Sequence, residues 1–388
     1  MSQSVPEVSQ QPILPGATIG MVGGGQLGRM FAMAASAMGY RVVVFCESED
    51  APAAQVAHGV VVGELDDQAA VQDFASQCDV ITLEFENIPA ETIARCGDFA
   101  PTYPAASVLA TAQDRLLEKN TLRDAGLPVT PFSEVHDADS LQRASEVLGW
   151  PMIVKTARSG YDGKGQHRVE SIDDAQRVPW QSFDSWIAEK CIDFECEVSV
   201  VVGRSVAGDY RCFPVFENSH HNHILDVSVI PASISEALVK QATDVARRAT
   251  ETLDVVGLLC VEFFVSGNAV LINEVAPRPH NSGHLSIEAC PTSQFEQHVR
   301  AICNVPLGET ESRTDAAAMA NLMGDLWQDG TAPDWSKALS VPGVSLHLYG
   351  KSAAKPGRKM GHLTATGSDR DEVRQRVERA RQNLQSGE

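Results

Sequence analysis

The sequence has no apolar run of the length that a membrane-spanning helix requires. Its first residues, MSQSVPEVSQQPILPG, also lack the basic region and the apolar core of a signal peptide. Hydrophobic residues make up 43% of the chain and charged residues 21%, as in ordinary globular proteins. These features predict a soluble, cytoplasmic protein with a disordered tail at residues 1–15.

The nine cysteines include no C-x-x-C pair and no zinc-finger spacing, and their number is odd. We expect reduced, mostly buried thiols that pack as small hydrophobic side chains. The sequence also offers no convincing Ser-His-Asp or Cys-His arrangement, so no nucleophilic side chain is expected in catalysis.

Basic residues are few, because 31 lysines and arginines stand against 51 aspartates and glutamates, a net charge of −20. Such a chain repels nucleic acids and anionic membranes at long range. We therefore expect neither nucleic acid nor a membrane as a partner. Any phosphate that the protein binds must be held by locally concentrated donors.

The length predicts several domains, because 388 residues exceed one ordinary hydrophobic core. Short apolar segments alternate with helical segments in the first part of the chain. The predicted strands there are 17–22, 41–46, 60–63 and 79–85. This alternation is typical of a doubly wound parallel sheet, which we place at residues 16–112.

Longer and partly alternating strands follow, and they favour a mixed or antiparallel sheet. They are predicted at 152–155, 186–190, 195–203, 212–217, 257–265 and 269–275. Three more strands are predicted near 317–323, 344–349 and 359–366. The chain is thus expected to have a second domain at 113–305 and a small C-terminal domain at 306–388.

A glycine pattern follows the first predicted strand. Gly23, Gly25 and Gly28 form G-x-G-x-x-G before a helix, and Glu47 comes at the end of the next strand. A dinucleotide-binding fold uses such positions for the pyrophosphate and the ribose, so an NAD-dependent oxidoreductase is one hypothesis. The same glycines serve any tight turn that brings an anion to a helix N-terminus, and a turn without a ligand is equally compatible.

A second glycine-rich loop points to a different chemistry. Lys155 ends a predicted strand, and the loop ARSGYDGKGQ follows it with Gly160, Gly163 and Gly165. Phosphoryl transfer from ATP needs cations on the phosphates, a flexible cover, and carboxylates for magnesium. The lysine and the loop supply the first two. The alternative is a solvated strand end followed by a plain hairpin.

Glu262 and Glu274 supply candidate carboxylates on two predicted strands that a tight turn joins. A three-residue turn, 266–268, would put both carboxylates on one face of the sheet, whereas a two-residue turn would put them on opposite faces. We expect the first arrangement. Asn273 would lie nearby and ATP oxygens would complete the shell of magnesium, with two ions as a reasonable number. Otherwise one glutamate merely faces solvent.

Anion donors are concentrated in two further segments. APRPHNSGH carries Arg278, His280, Asn281 and His284, a set that suits a small anion. A zinc site at the two histidines lacks further ligands at suitable spacing. GKSAAKPGRKMGH is strongly basic in an acidic chain and predicts a phosphate pocket. Its basic side chains are Lys351, Lys355, Arg358 and Lys359.

Together these segments resemble the 5-(carboxyamino)imidazole ribonucleotide synthetases, a family of ATP-grasp enzymes of purine biosynthesis. The resemblance covers about residues 16–370. GGGQLGRM, GYDGKGQ, PRPHNSGH and PGRKMGHL are specific to this subgroup, whereas the glutamate pair marks ATP-grasp enzymes in general. The resemblance implies an ATP-grasp fold of mixed α/β and α+β class, an N-terminal doubly wound domain, a small C-terminal domain, and a homodimer.

The resemblance also implies roles for individual residues. The ATP-binding residues would be Arg115, Lys155, Tyr161, Asp162, Gly163, Lys164, Gly165, Gln166, Glu189, Ile192, Glu197, His220, Asn273 and Glu274. Glu189 would lie beside the adenine and Glu197 at the ribose. His220 is preferred over its neighbours His221 and His223.

Further roles follow in the same way. Glu262 and Glu274 would hold magnesium. The catalytic residues would be Lys155, Arg278, His280 and Asn281, the last three receiving bicarbonate. The ribonucleotide would be bound by Gln26, Tyr161, Asp162, Lys164, Lys351 and Arg358.

The implied reaction is the ATP-dependent carboxylation of aminoimidazole ribonucleotide with bicarbonate, through carboxyphosphate. Other ATP-grasp ligases remain as alternatives, such as the formate-dependent glycinamide ribonucleotide transformylase or a biotin carboxylase-like enzyme. The NAD-dependent oxidoreductase is the alternative from another class. A non-catalytic nucleotide sensor would require the magnesium carboxylates to be lost, yet both are present.

Overall fold

The computed structural model of the chain describes residues 11–159, 165–327 and 330–385. Part of the predicted tail belongs to the folded chain: the N–H of Ile13 donates to the carbonyl of Cys303, and its carbonyl accepts the hydroxyl of Tyr40 at 2.8 Å. The prediction of disorder is therefore wrong for residues 11–15. The segment is polar overall, but its apolar Ile13 packs against the first domain and anchors it.

The first part of the chain forms a parallel sheet of strand order β3-β2-β1-β4. Its strands are β1 (Thr18–Val22), β2 (Arg41–Cys46), β3 (Gly59–Val62) and β4 (Val80–Leu83). Its helices are α1 (Gln26–Ala37), α2 (Gln68–Ala75), α3 (Ala90–Cys96) and α4 (Ala106–Ala112). Along β2, Val42 and Val44 pack with α1, whereas Val43 and Phe45 pack with α2 on the other face. Burial on both faces is what a doubly wound sheet requires, as predicted.

The middle of the chain contains a four-stranded antiparallel sheet of order β5-β8-β6-β7. Its strands are β5 (Phe132–Val135), β6 (Met152–Thr156), β7 (Gln166–Val169) and β8 (Trp186–Lys190). The helices around it are α5 (Arg115–Asp124) and α6 (Ala138–Leu148). Leu141, Met152 and Trp186 share the core between α6 and this sheet.

A larger antiparallel sheet follows. Its first strands are β9 (Cys196–Arg204), β10 (Tyr210–Cys212), β11 (Phe216–His221), β12 (Ile224–Ile230), β13 (Gly257–Ser266) and β14 (Ala269–Ala276). Helices α7 (Glu236–Thr252), α8 (Ser286–Ala289) and α9 (Gln294–Ile302) accompany them. The predicted single strand at 212–217 is wrong, because it contains Pro214, which has no N–H for a strand ladder, and it divides into β10 and β11.

The C-terminal strands extend this same sheet. They are β15 (Ala316–Met323), β16 (Val344–Leu348) and β17 (Lys359–Gly367), with helices α10 (Trp335–Leu339) and α11 (Arg370–Gln385). Because β12 pairs with β15, the order runs β14-β13-β9-β11-β12-β15-β17-β16, and β10 pairs with β9. The C-terminal segment is thus fixed relative to the hairpin that carries Glu262 and Glu274.

The three parts of the chain also share buried side chains. Phe31 on α1, Phe295 on α9 and Tyr349 after β16 belong to one hydrophobic cluster. Residues that are far apart in the sequence therefore meet at one junction. Within the described ranges, no helix is both long and apolar enough to span a membrane.

Candidate active site at the junction of the sheets

Glu262 and Glu274 lie directly opposite each other on β13 and β14. The turn between the strands has two residues, since Ser266 pairs with Ala269, so the prediction of a three-residue turn is wrong. A register shift between Glu262 and Phe263 places one extra residue on β14. This bulge brings Glu274 opposite Glu262 and returns the two carboxylates to one face, as the metal hypothesis requires.

The two carboxylates differ in their partners. His280 donates from Nε2 to Glu262 at 2.8 Å. Burial alone would raise the pKa of Glu262, but His280 lowers it to about 2. The densely packed surroundings of Glu274 and the charge of Glu262 both raise its pKa, although the residue itself is exposed at the surface of the sheet. Glu274 is therefore the carboxylate that most needs a cation.

The residues around this pair fit a hard cation. The side-chain oxygen of Asn273, next to Glu274, is buried and has no hydrogen-bond partner among the described residues. Carboxylate and amide oxygens are the ligands that magnesium prefers. Two carboxylates do not complete the shell of an ion, so nucleotide oxygens or water would supply the remainder.

Lys155 belongs to a buried network of ion pairs that also includes Lys119, a residue that the sequence did not suggest for the site. Glu189 on β8 contacts Lys155 Nζ at 2.8 Å with one oxygen and Lys119 Nζ at 3.2 Å with the other. Burial alone would raise the pKa of Glu189, but the two ammonium groups lower it to about 2. The Lys119 side chain is only 1% exposed. Its helix, α5, is polar in sequence, and that pattern gave no sign that one face is buried.

Glu118, the neighbour of Lys119, was also missed. Burial raises its pKa to about 8, Lys119 opposes this shift, and Glu274 adds to it. Helix α5 therefore directs Glu118 toward Glu274 and Lys119 toward Glu189. The Arg115 guanidinium at the start of this helix donates to the carbonyl of Thr156 at 3.0 Å, next to Lys155.

Residues 220–223 contain three histidines, and His220 is the one with a carboxylate partner in the candidate site. Its Nδ1 lies 2.8 Å from a carboxylate oxygen of Glu197. Burial alone would lower the pKa of His220, but the bond to Glu197 raises it. His221 is exposed, and His223 contacts Gln166 at 3.3 Å. This geometry favours His220 among the three.

The loop at residues 276–284, which carries the proposed anion donors, is held by a contact with the first domain. Arg278 Nε contacts Glu86 at 2.7 Å, and Glu86 follows the carboxyl end of β4. Arg278 and Lys351 also act electrostatically on buried Glu84, two residues before Glu86. All three parts of the chain thus meet here. The sequence signal for Glu84 and Glu86 is a pair of acids at the end of an apolar strand.

The first glycine loop is already occupied by a carboxylate of the protein. Glu84 accepts hydrogen bonds from the N–H of Gly25 and, at 2.8 Å, from the N–H of Gly28. A Cβ at Gly25 would lie 2.7 Å from a Glu84 oxygen. The glycines therefore admit Glu84 to the start of α1, where a dinucleotide would place its pyrophosphate. This argues against the NAD hypothesis.

Among the predicted phosphate residues, Lys351 acts electrostatically on Glu84, the carboxylate in this loop. Lys351 Nζ donates to the carbonyl of Lys359 at 2.6 Å, and Arg358 donates to the carbonyl of Ala353 at 2.7 Å. The side chain of Gln55, in the first domain, donates to the carbonyl of Gly350 at 2.8 Å. Hence the basic C-terminal segment lies against the first domain.

The remaining predicted residues are placed as follows. Tyr161, Asp162, Gly163 and Lys164 lie outside the described residues. Gly165 has a φ of +73° and its carbonyl accepts the N–H of Thr156 at 3.0 Å, which sets Gln166 opposite Lys155. Ile192, after β8, is half-buried, and half-buried Gln26 begins α1.

Three domain families match consecutive parts of the chain. Residues 16–113 match the ribonucleotide synthetase preATP-grasp domain, and residues 120–295 match the ATP-grasp domain. Residues 317–376 match the phosphoribosylaminoimidazole carboxylase C-terminal domain. The predicted ATP-grasp fold, with its parallel-sheet N-terminal domain and its C-terminal domain, is confirmed.

The chain is also similar to whole proteins. It is 39% identical over 386 residues to the N5-carboxyaminoimidazole ribonucleotide synthase of Bacillus subtilis (strain 168), covering 98% of this chain and 100% of that protein. A solved structure of the ADP complex of an N5-carboxyaminoimidazole ribonucleotide synthetase is 41% identical, with a TM-score of 0.88 over 95% of this chain and 97% of that chain. The synthase of Aspergillus clavatus, in complex with ADP and 5-aminoimidazole ribonucleotide, is 32% identical, with a TM-score of 0.86 over 95% and 98%.

Proposed function

Because the chain belongs to the N5-carboxyaminoimidazole ribonucleotide synthase family, we propose that it carboxylates 5-aminoimidazole ribonucleotide at the expense of ATP. The products are 5-carboxyaminoimidazole ribonucleotide, ADP and phosphate, in de novo purine biosynthesis. The observation that carries this proposal is the pair of opposed carboxylates, Glu262 and Glu274, with the positive charges of Lys155 and Arg278 acting on Glu274. A related protein has been solved with both ADP and this ribonucleotide bound.

ATP is held between the two antiparallel sheets. Lys155 and Arg115 neutralise its phosphates, and Glu197 with His220 takes the ribose. The Glu189 carboxylate already has two ammonium partners, so its contribution is to hold Lys155 in place. The contact to adenine then comes from the main chain at 189–192 and the apolar side chain of Ile192. Gly165 and Gln166, together with the loop residues Tyr161, Asp162, Gly163 and Lys164, cover the nucleotide.

Magnesium is the cofactor that Glu262, Glu274 and Asn273 would hold, and we propose two ions. When bound, magnesium neutralises charge that builds up on the phosphates during transfer. His280, whose Nε2 donates to Glu262 at 2.8 Å, would compete with a bound cation for the same carboxylate.

Bicarbonate binds at Arg278, His280 and Asn281. Its oxygen forms a bond to the γ-phosphorus of ATP, and the bond from that phosphorus to the ADP oxygen breaks, which gives carboxyphosphate. Arg278 and Lys155 offset negative charge in this step. The exocyclic amine of the ribonucleotide then forms the N–C bond, either to the carboxyphosphate carbon as phosphate leaves with the C–O electron pair, or to carbon dioxide that the departure of phosphate has released. The amine proton passes to solvent or to the phosphate.

The ribonucleotide lies between the first and last parts of the chain. Lys351 and Arg358 hold its phosphate, and Gln26 at the start of α1 reaches its ribose or base, as do Tyr161, Asp162 and Lys164 from the loop. The charge environment supports this position, since Lys351 and Arg278 both act on Glu84. A homodimer in the cytoplasm is the assembly and location that the family resemblance implies, and light scattering after gel filtration measures the former.

Radiolabelled bicarbonate tests the reaction. The full chain with ATP, magnesium and 5-aminoimidazole ribonucleotide is expected to transfer label into an acid-labile carbamate on the ribonucleotide. Formate in place of bicarbonate is expected to give no ATP consumption, which separates this enzyme from a formate-dependent transformylase. Unlabelled ribonucleotide, or equal turnover with formate, would overturn the proposal. Unchanged NADH fluorescence on mixing addresses the oxidoreductase alternative.

A further inference from the structure

A chain of buried hydrogen bonds runs across the large sheet to His280, the histidine proposed for bicarbonate. It begins on β12, where the Ser228 hydroxyl donates to the side-chain oxygen of Asn218 on β11 at 2.8 Å. Asn218 in turn donates from Nδ2 to the hydroxyl of Ser199 on β9 at 2.9 Å. Ser199 Oγ lies 2.8 Å from Ser282 Oγ, and Ser282 Oγ lies 2.8 Å from Nδ1 of His280. The chain thus links three strands to the loop that follows β14.

The direction of each bond follows from the protons that the groups carry. The backbone N–H of Ser282 donates to Nδ1 of His280 at 3.3 Å, so Nδ1 is an acceptor. The Ser282 hydroxyl therefore gives its one proton to Nδ1, and it accepts the proton of the Ser199 hydroxyl. Nε2 is then the ring nitrogen that donates, and its partner is Glu262 at 2.8 Å. All bonds of the chain run in one direction, from Ser228 toward His280.

The polar groups of this chain are buried. Ser199, Ser228 and Ser282 are fully buried, and Asn218 is only 6% exposed. An unpaired hydroxyl or amide at such a depth costs stability, so each group depends on its neighbour in the chain. Successive hydrogen bonds of one direction also strengthen one another. The hydroxyl that reaches Nδ1 of His280 is therefore held in one place.

The main chain of His280 is held separately, by the first residue of α9. The side chain of buried Gln294 accepts the N–H of His280 at 2.9 Å and donates to its carbonyl at 2.7 Å. These two bonds do not fix the rotation of the imidazole ring. Ser282 fixes it from the Nδ1 side, and the opposite nitrogen, Nε2, then points to Glu262 and the candidate site.

We propose that Ser282, Ser199, Asn218 and Ser228 are positioning residues that hold His280 with its Nε2–H directed at bicarbonate. This inference rests on the proposed function, in which His280 receives that anion. Only a nitrogen that carries a proton can donate to an anion, and a ring free to rotate would present either nitrogen. A small anion makes few contacts, so the alignment of each donor matters for its binding. The buried chain supplies that alignment without any contact of its own to the substrate.

Ser282→Ala tests the inference, because it removes the hydroxyl that bonds Nδ1 and leaves His280 itself in place. We expect the KM for bicarbonate to rise about tenfold, the loss of one buried hydrogen bond, while kcat and the KM for ATP stay near their wild-type values. The matched control is Ser205→Ala, which also deletes a buried serine hydroxyl, one that accepts the N–H of Asp209 just beyond β9. A structural role alone would lower the melting temperature of both variants and leave their bicarbonate KM values equal.

Ser199→Ala interrupts the chain one bond earlier. Alone it is expected to raise the KM for bicarbonate about threefold, because Ser282 keeps its hydroxyl but loses the donor that orients it. Adding it to Ser282→Ala should bring no further rise, since the chain is then already broken at Nδ1 of His280. Read against Ser205→Ala, the Ser199→Ala enzyme decides the question even if Ser282→Ala does not fold.

Two results would overturn the inference. One is a pair of effects that multiply in the double variant, which would show that Ser199 does not act through Ser282. The other is a bicarbonate KM in Ser282→Ala, or in Ser199→Ala where the former does not fold, that matches the Ser205→Ala control. Wild-type protein that fixes no bicarbonate would refute the proposed function itself, and that failure is visible before any variant is made.

Discussion

Glu262 and Glu274 face each other across two antiparallel strands although the turn that joins the strands has the length that should separate them. The two-residue turn would set Glu274 opposite Val261. One extra residue on β14 shifts the register, and Glu274 pairs with Glu262 instead. The bulge therefore creates a paired carboxylate site where a regular hairpin would not.

Glu274→Gln is expected to lower turnover about a hundredfold or more, because one of the two proposed magnesium ligands is lost. The fold should be retained. Without magnesium the variant should melt no lower than wild type, since its packed surroundings and the charge of Glu262 raise the pKa of Glu274 and its charge therefore opposes folding above pH 4.5. Steady-state ADP release and thermal melts measure the two effects.

Glu251→Gln on the exposed face of α7 is the matched control for this substitution, and it should keep wild-type turnover. Adding magnesium with ADP is expected to raise the melting temperature of wild type and of this control much more than that of Glu274→Gln. Equal stabilisation of all three proteins, or ATP consumption retained in Glu274→Gln, would contradict the assigned role.

Lys119→Met is expected to weaken ATP binding and destabilise the fold by about 3 kcal/mol, since the buried Glu189 loses one of its two ammonium partners. The remaining partner, Lys155, should then be held more tightly by Glu189 and be less available to phosphate. The KM for ATP and urea unfolding test this. Lys240→Met, at an exposed position of α7, is the control and should change neither. A Lys119→Met enzyme with wild-type values would refute the role of this ion pair.

The stability contributed by Glu189 should depend on pH in a definite direction. Its folded pKa of about 2 lies below the ordinary value of 4.5, so the stabilisation is fully present above pH 4.5 and declines as the pH falls toward 2. Relative to Glu189→Gln, wild type should be more stable by at most about 3 kcal/mol near neutral pH. Urea unfolding of both proteins at several pH values measures the gap. A gap that widens on acidification would be inconsistent with this account.

Strands and site residues could be predicted from the sequence where the pattern that marks them is local. Apolar runs bounded by turns predicted β1, β2, β6 and β8 nearly to the residue, and the glutamate pair and Lys155 were found because they stand in or at the end of apolar strands. The residues that were missed depend on distant partners. Lys119 is buried because Glu189 accepts it, and no feature of its polar helix encodes that contact.

The first glycine loop shows the same dependence on distant residues, although here the motif itself could be recognised. Its motif is genuine, but its meaning depends on which anion reaches it, and here that anion is Glu84, which lies 56 residues beyond Gly28. The hairpin turn shows a third kind of limit. The turn length was predicted incorrectly, and a single bulged residue, which has no sequence signature, restored the expected face.

The most direct test of the whole account is ADP release by the wild-type chain when 5-aminoimidazole ribonucleotide and bicarbonate are each omitted in turn. The account predicts that ADP release falls to background without bicarbonate, because phosphoryl transfer requires it, and also without the ribonucleotide, because the carboxyphosphate then has no amine to take its carboxyl group and turnover stops. ADP release that is indifferent to the ribonucleotide would contradict it.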